Sequence, residues 1–152
     1  MPPANVESGF VLDPRLAADT ALVADWTLCR VLLMDDARFP WLILVPRRAA
    51  LVELNDLHEA AQVALLREVH RAAHGLRAVT ACDKLNIGAL GNVVRQLHVH
   101  VVARRADDAA WPGPVWGHGP SRRYAPTDRD ARIAALRRAV AAPAAGHANA
   151  RR

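Results

Sequence analysis

His98 and His100 stand two residues apart in Arg95-Gln96-Leu97-His98-Val99-His100-Val101-Val102, each flanked by aliphatic residues. Side chains alternate faces along a β-strand, so Gln96, His98 and His100 share one face and Leu97, Val99 and Val101 the other. The pattern predicts a strand with one face in the core and a row of nitrogen-bearing side chains on the opposite face. Three readings compete. One is an ordinary strand with a solvated polar face. A second is metal ligation: histidines at this spacing can reach one ion, with a third ligand from His118, Asp35 or Asp36. The third is nucleophilic attack on phosphorus by a neutral imidazole whose other nitrogen donates to a fixed acceptor. Gly91-Asn92 just upstream favours the third, because a glycine turn lets backbone N–H groups approach an anion closely.

The elements that must position these residues follow from periodicity. Phe10-Val11-Leu12 is a short apolar run, and Asp13-Pro14 marks a turn or helix start. Leu22 to Trp26 is ambiguous. Leu28–Met34 and Trp41–Val45 read as buried strands joined by a short polar connection, an antiparallel hairpin. Asn55 or Asp56 is the expected N-cap of a helix over about 56–79, on which apolar residues from Leu57 to Leu76 recur at helical spacing. Gly75 is a soft spot in it, costing about 1 kcal/mol against alanine. His70 and His74 lie one turn apart on this helix, but Arg71 occupies the position where a His-Glu-x-x-His site needs glutamate, so a solvated face is favoured. Leu85–Leu90 reads as a third strand, followed by the tight turn and the histidine strand. Residues 111–120, rich in Pro and Gly, cannot form regular structure. Thr127 with Asp130 resembles a capping box opening a helix over 128–141, with Ile133, Leu136 and Val140 on one stripe. The fold class expected is α+β, an antiparallel sheet with one long helix packed on it and an irregular C-terminal extension.

Composition narrows the function classes. A chain of 152 residues is long enough for one domain with a proper core. Its start has no basic segment followed by an apolar stretch, so no secretory signal is expected, and no apolar run suits a membrane helix. Cys29 and Cys82 lie far apart and suit reduced thiols in a cytoplasm. The net charge of +5 suggests polyanion binding. Residues 1–102, however, hold ten Lys/Arg against eleven Asp/Glu, and residues 103–152 ten Arg against four Asp. The basicity is confined to the C-terminal third, which argues against sequence-specific nucleic-acid binding.

The motif Gln96-Leu97-His98-Val99-His100-Val101-Val102-Ala103-Arg104 resembles the histidine-triad (HIT) signature, His-φ-His-φ-His-φ-φ. Trp41-Leu42-Ile43-Leu44-Val45-Pro46-Arg47-Arg48 is similar to the family's strand ending in Pro and basic residues, and the helix and the strand from Asn86 to Gly91 fall in the family's order. The resemblance covers about residues 10–105. It implies a single domain over 1–142, with a core of about 10–105, an extension over 106–142 and a disordered tail over 143–152. It also implies a cytoplasmic homodimer with the long helix and a strand at its interface. The implied chemistry is hydrolysis or transfer at the α-phosphate of dinucleoside polyphosphates, nucleoside phosphoramidates or related nucleotides. The protein would hold no metal or other cofactor, although a divalent cation can accompany a polyphosphate substrate. By position, His98 matches the nucleophile that forms a nucleotidyl-histidine, and His100 the histidine that binds phosphate oxygens. Asn86, Gly91 and Asn92 match nucleotide and phosphate contacts, and Asp35 or Asp36 a ribose contact. Trp111 and Trp116 could stack on the base, or else anchor the irregular segment to the core. Arg47, Arg48, Arg95, Arg104 and Arg105 cluster at strand ends, where one or two could meet distal phosphates.

The chain also departs from the pattern. Gln96 replaces the first histidine, and an amide cannot carry a proton at neutral pH. Trp41 and Ala49 stand where other histidines are frequent, and Val93 replaces a common hydroxyl. A nucleotide-binding regulatory protein with little catalysis is therefore an alternative, and a His-x-His metalloprotein a further one.

Overall fold

The computed structural model describes residues 9–141. The expected tail from Pro143 onward lies outside them. The order is α1 (Pro14–Asp19), β1 (Thr20–Asp25), β2 (Cys29–Met34), β3 (Trp41–Pro46), a 3-10 turn (Leu54–Asp56), α2 (Glu59–Val79), β4 (Lys84–Gly88), β5 (Val99–Arg104) and α3 (Pro126–Ala141). The strands form one antiparallel sheet in the order β1-β2-β3-β5-β4. This is the expected α+β architecture. The ambiguous stretch from Leu22 falls in β1 up to Asp25, an edge strand, and Trp26 lies just beyond it.

The central strands are buried on both faces, unlike the one-sided strand the pattern suggested. On one face Leu42, Leu44, Val99 and Val101 pack with Leu65, Val69, Leu76, Leu136 and Val140 of the two long helices. On the other, Ile43, Val45 and Val102 pack with Leu16, Phe39 and Val115. The irregular segment around 110–116 supplies that second cover, and it encloses the histidine face as well.

Several boundaries differ from the sequence reading. His58 caps α2, its Nδ1 accepting from Ala61 N–H at 3.3 Å. Asn55 and Asp56 belong to the preceding turn, where the Asp56 carboxylate accepts from Val52 and Glu53 N–H. α3 begins at Pro126, whose fixed φ suits the first helical position, so Thr127 lies inside the first turn and is not a cap. Gly75 is no soft spot. A Cβ there would stand 2.5 Å from Val140 Cγ1, so the glycine is what lets α3 lie against α2.

Candidate active site

β5 starts at Val99, so His98 is the last residue of the incoming loop and His100 the second residue of the strand. Their rings meet edge to face, centroids 4.8 Å apart. Both are buried, His98 to 6% and His100 to 7% exposure, so each must satisfy its ring nitrogens within the protein or on a ligand.

His98 Nδ1 lies 2.7 Å from the backbone carbonyl of Gln96. A carbonyl only accepts, so Nδ1 carries the proton and the lone pair of the neutral ring is on Nε2. That is the tautomer a nucleophile needs. His98 lines a cavity of about 200 Å³ with Gly91, Gln96, Glu53 and Asn55. Gly91, at φ +86°, holds the turn open in a conformation that favours glycine.

His100 is fixed in the opposite sense. Trp41 Nε1–H donates to its Nδ1 at 3.0 Å, which leaves the proton of the neutral ring on Nε2. Burial, more than the neighbouring His98, pushes the His100 pKa down to about 3. The ring is packed between Trp41, at 5.5 Å, and Trp116, at 5.4 Å. Trp116 Nε1 is buried with no partner among the described residues.

Gln96 does something no spacing argument revealed. Its Nε2 donates to Val11 O and its Oε1 accepts from Asp13 N–H, both at 2.9 Å. Donor and acceptor on one planar amide match the C=O and N–H of the extended segment, as a neighbouring strand would. Arg15 reinforces the join, giving Nη1 to Val93 O at 2.7 Å and pairing with Asp13. The N-terminal segment is thereby stapled to the loop that carries His98. The hydrogen bonds from Arg15 hold the Asp13 carboxyl below its usual range.

The remaining expected residues fall in three groups. Asn92 is exposed on the Gly91 loop. Asn86 accepts from Arg104 Nη1 at 2.8 Å, and Arg104 is itself buried against Asp108. Asp35 and Asp36 do not line the cavity. Asp36 accepts from Arg38 and from Arg122 N–H, while Asp35 accepts from Arg123 and from Tyr124 N–H. Burial pushes Asp36 up, but the Arg38 and Arg122 hydrogen bonds outweigh it and leave its pKa below 3.8. Trp116 reaches the site. Trp111 instead lies half-exposed beside the Arg104 guanidinium, 5.7 Å from its ring centroid. Of the arginines, Arg47 is buried and donates to Trp26 O, Arg105 pairs with Asp107, and Arg95 is exposed. No group of three or more His, Cys, Asp or Glu side chains among the described residues could hold a metal ion.

The HIT domain model matches residues 15–107. The chain belongs to the HIT domain family. Three solved histidine triad proteins are similar over nearly their whole length. One from Bradyrhizobium japonicum is 49% identical, with 86% of this chain and 98% of that one covered and a TM-score of 0.84. One from Sinorhizobium meliloti is 46% identical, covering 85% and 96%, with a TM-score of 0.83. One from Marinobacter aquaeolei is 42% identical, covering 87% and 96%, with a TM-score of 0.84. No curated protein matches the chain. Membership of the HIT family supports nucleotide binding or hydrolase and transferase chemistry in general.

Proposed function

We propose that this HIT protein is a nucleotide hydrolase or nucleotidyl transferase acting at an α-phosphate. The observation that carries the reading is the His98 tautomer: the Nδ1–H···O=C bond to Gln96 leaves Nε2 unprotonated beside a cavity. Nε2 attacks phosphorus, the bond to the leaving group breaks, and the nucleotidyl group rests on His98 until water or another acceptor takes it. His100 Nε2–H, Asn92 and the backbone around Gly91 steady the phosphoryl oxygens. Asn86 acts indirectly, through Arg104. Trp116 walls the site behind His100. The protein holds no metal in this scheme, and any divalent cation arrives with a polyphosphate substrate.

The test is His98→Ala. It is expected to abolish the adduct that mass spectrometry detects on the wild-type protein incubated with diadenosine polyphosphate, and to lose turnover by at least about 1,000-fold while the fold persists. Undiminished hydrolysis by the variant would sink the proposal. The binder alternative keeps one observation in its favour, the replacement of a protonatable histidine by Gln96. Tight calorimetric binding without product would decide for it.

The assembly is a homodimer in this reading, and the protein is cytoplasmic. Supporting the dimer, β4 is an edge strand, and beside it an apolar cavity of about 560 Å³ is lined by Leu54, Val63, Leu66, Val69 and Ile87. No helix among the described residues is long and apolar enough to cross a membrane.

A further inference from the structure

We infer, resting on the reading above, that this site turns over only nucleotides whose leaving group departs as a stable oxyanion. Phosphate, pyrophosphate and polyphosphate chains fit, and P–N bonded amines and alkoxides do not, because Trp41 and Gln96 together remove the side chains that would protonate the departing atom.

The His100 ring stands 4.8 Å from the His98 ring, centroid to centroid, and is the neighbouring imidazole to any phosphorus that His98 attacks. An imidazole serves as a general acid when it carries two protons and can give one up. Trp41 fills His100 Nδ1 with its own N–H at 3.0 Å, so that nitrogen has no room for a proton. The single proton on Nε2 can be shared in a hydrogen bond, but donating it outright would leave an imidazolate. The ring is boxed in by two indoles and an aliphatic sheet, which penalises its cationic form further. At the position of the first triad histidine, both ends of the Gln96 amide are committed to Val11 and Asp13. Among the described residues, Asp13 near His98 is already paired with Arg15, and Glu53 in the cavity lining is an acceptor when ionised. The described residues lining the cavity include no lysine, tyrosine or cysteine.

The chemistry balances without an acid only for oxyanions. His98 Nε2 supplies the electron pair of the new N–P bond, and the pair of the breaking P–O bond stays on the leaving oxygen. The Nδ1 proton remains on the ring, held by the Gln96 carbonyl. Water then attacks phosphorus, the N–P pair returns to Nε2, and the water's proton passes to solvent. An amine leaving along the same path would depart as an amide anion unless a proton reached its nitrogen first, and among the described residues no lysine, tyrosine or cysteine lines the cavity to deliver one.

The test is a series of adenosine 5′-aryl phosphodiesters with leaving phenols of graded acidity, together with an N-alkyl adenosine 5′-phosphoramidate. Expected are a steep fall of kcat/KM as the phenol becomes less acidic, and a phosphoramidate slower than the most acidic ester by about 100-fold or more, the usual contribution of a general acid. Trp41→Phe, which removes the N–H but keeps an aromatic ring, should narrow that ratio. If that variant does not fold, the wild-type series still decides. A flat series, or a phosphoramidate cleaved as fast as the acidic esters, with the His98 adduct present, overturns the inference and leaves the nucleophile standing. If no adduct forms on His98 with any member of the series, the proposed function fails, and this inference with it.

Discussion

At the residue scale, the site is built from two imidazoles set to opposite tautomers. A backbone carbonyl fixes His98 and an indole fixes His100. The sequence makes the pair visible because i,i+2 spacing on a strand has one structural meaning. It also marks Gln96 and Trp41 as departures, but not their partners. Gln96 pairs with residues 83 and 85 positions away, and Trp41 with one 59 away, distances that carry no periodic signal. The partners of Asp35 and Asp36 are equally silent in the sequence, since an acidic pair at a strand end looks alike whether it faces a hydroxyl or an arginine. His100 also makes a thermodynamic prediction. Its folded pKa, about 3, lies below the ordinary 6.5. Between those values the unfolded chain binds a proton that the folded protein refuses, so stability rises with pH and is lost as pH falls from about 6.5 towards 3. The slope is up to about 1.4 kcal/mol per pH unit. Asp108, lowered to about 2 by its hydrogen bonds from Arg104, adds its own loss only below about 3.8. Urea unfolding of wild type and His100→Asn between pH 7 and 4 is expected to show a shallower dependence in the variant. Equal slopes would refute the assignment.

At the element scale, β2 to β5 and both long helices are legible because hydrophobic periodicity is imposed by burial, whereas β1, an edge strand with a mixed burial pattern, reads as ambiguous. Their ends were not, because caps depend on side chains from outside the element. Asp56 has good capping chemistry, yet it spends its carboxylate on the turn that precedes the helix, and His58 takes its place. Gly75 shows the limit of propensity most clearly. As a helical residue it costs about 1 kcal/mol against alanine, so Gly75→Ala would be expected to stabilise. The structure reverses the sign, since the new methyl would press on Val140 Cγ1, part of a side chain stiff at χ1. Gly75→Ala is expected to destabilise by about 1–3 kcal/mol. Val140→Ala in the same chain should recover part of that loss, giving a favourable coupling in a double-mutant cycle. Additive losses would mean that α3 does not rest on the glycine.

At the scale of the whole molecule, arginines of the basic C-terminal third reach back to the N-terminal strands and the long helix while remaining largely at the surface. Arg123 pairs with Asp35, the Arg122 backbone serves Asp36, and Arg137 donates to the carbonyls of Leu22 and Val23 on the edge strand. Arg132 donates to Val79 O at the end of α2. A basic third that looks like a polyanion handle fastens the C-terminal segment to the first strands. The surface beside β4 has the opposite character. Leu66 is 70% exposed and Ile87 52% exposed on either side of the apolar cavity. Leu66→Glu is expected to convert the proposed homodimer to a monomer in light scattering, with the far-UV spectrum unchanged. An unaltered mass would place the subunit contact elsewhere.

The staple between Gln96 and the Val11–Asp13 segment also bears on how the protein is made. A ribosome delivers Asp13 83 residues before the side chain that holds it. At usual translation speeds that gap is on the order of ten seconds. The arginines that occupy Asp35 and Asp36 emerge later still. The first hairpin can pair as it appears, but the pocket is not enclosed until Gln96 and Trp116 have followed. Assembly of the site therefore comes well after the first hairpin, and it closes over long loops of the kind that slow folding.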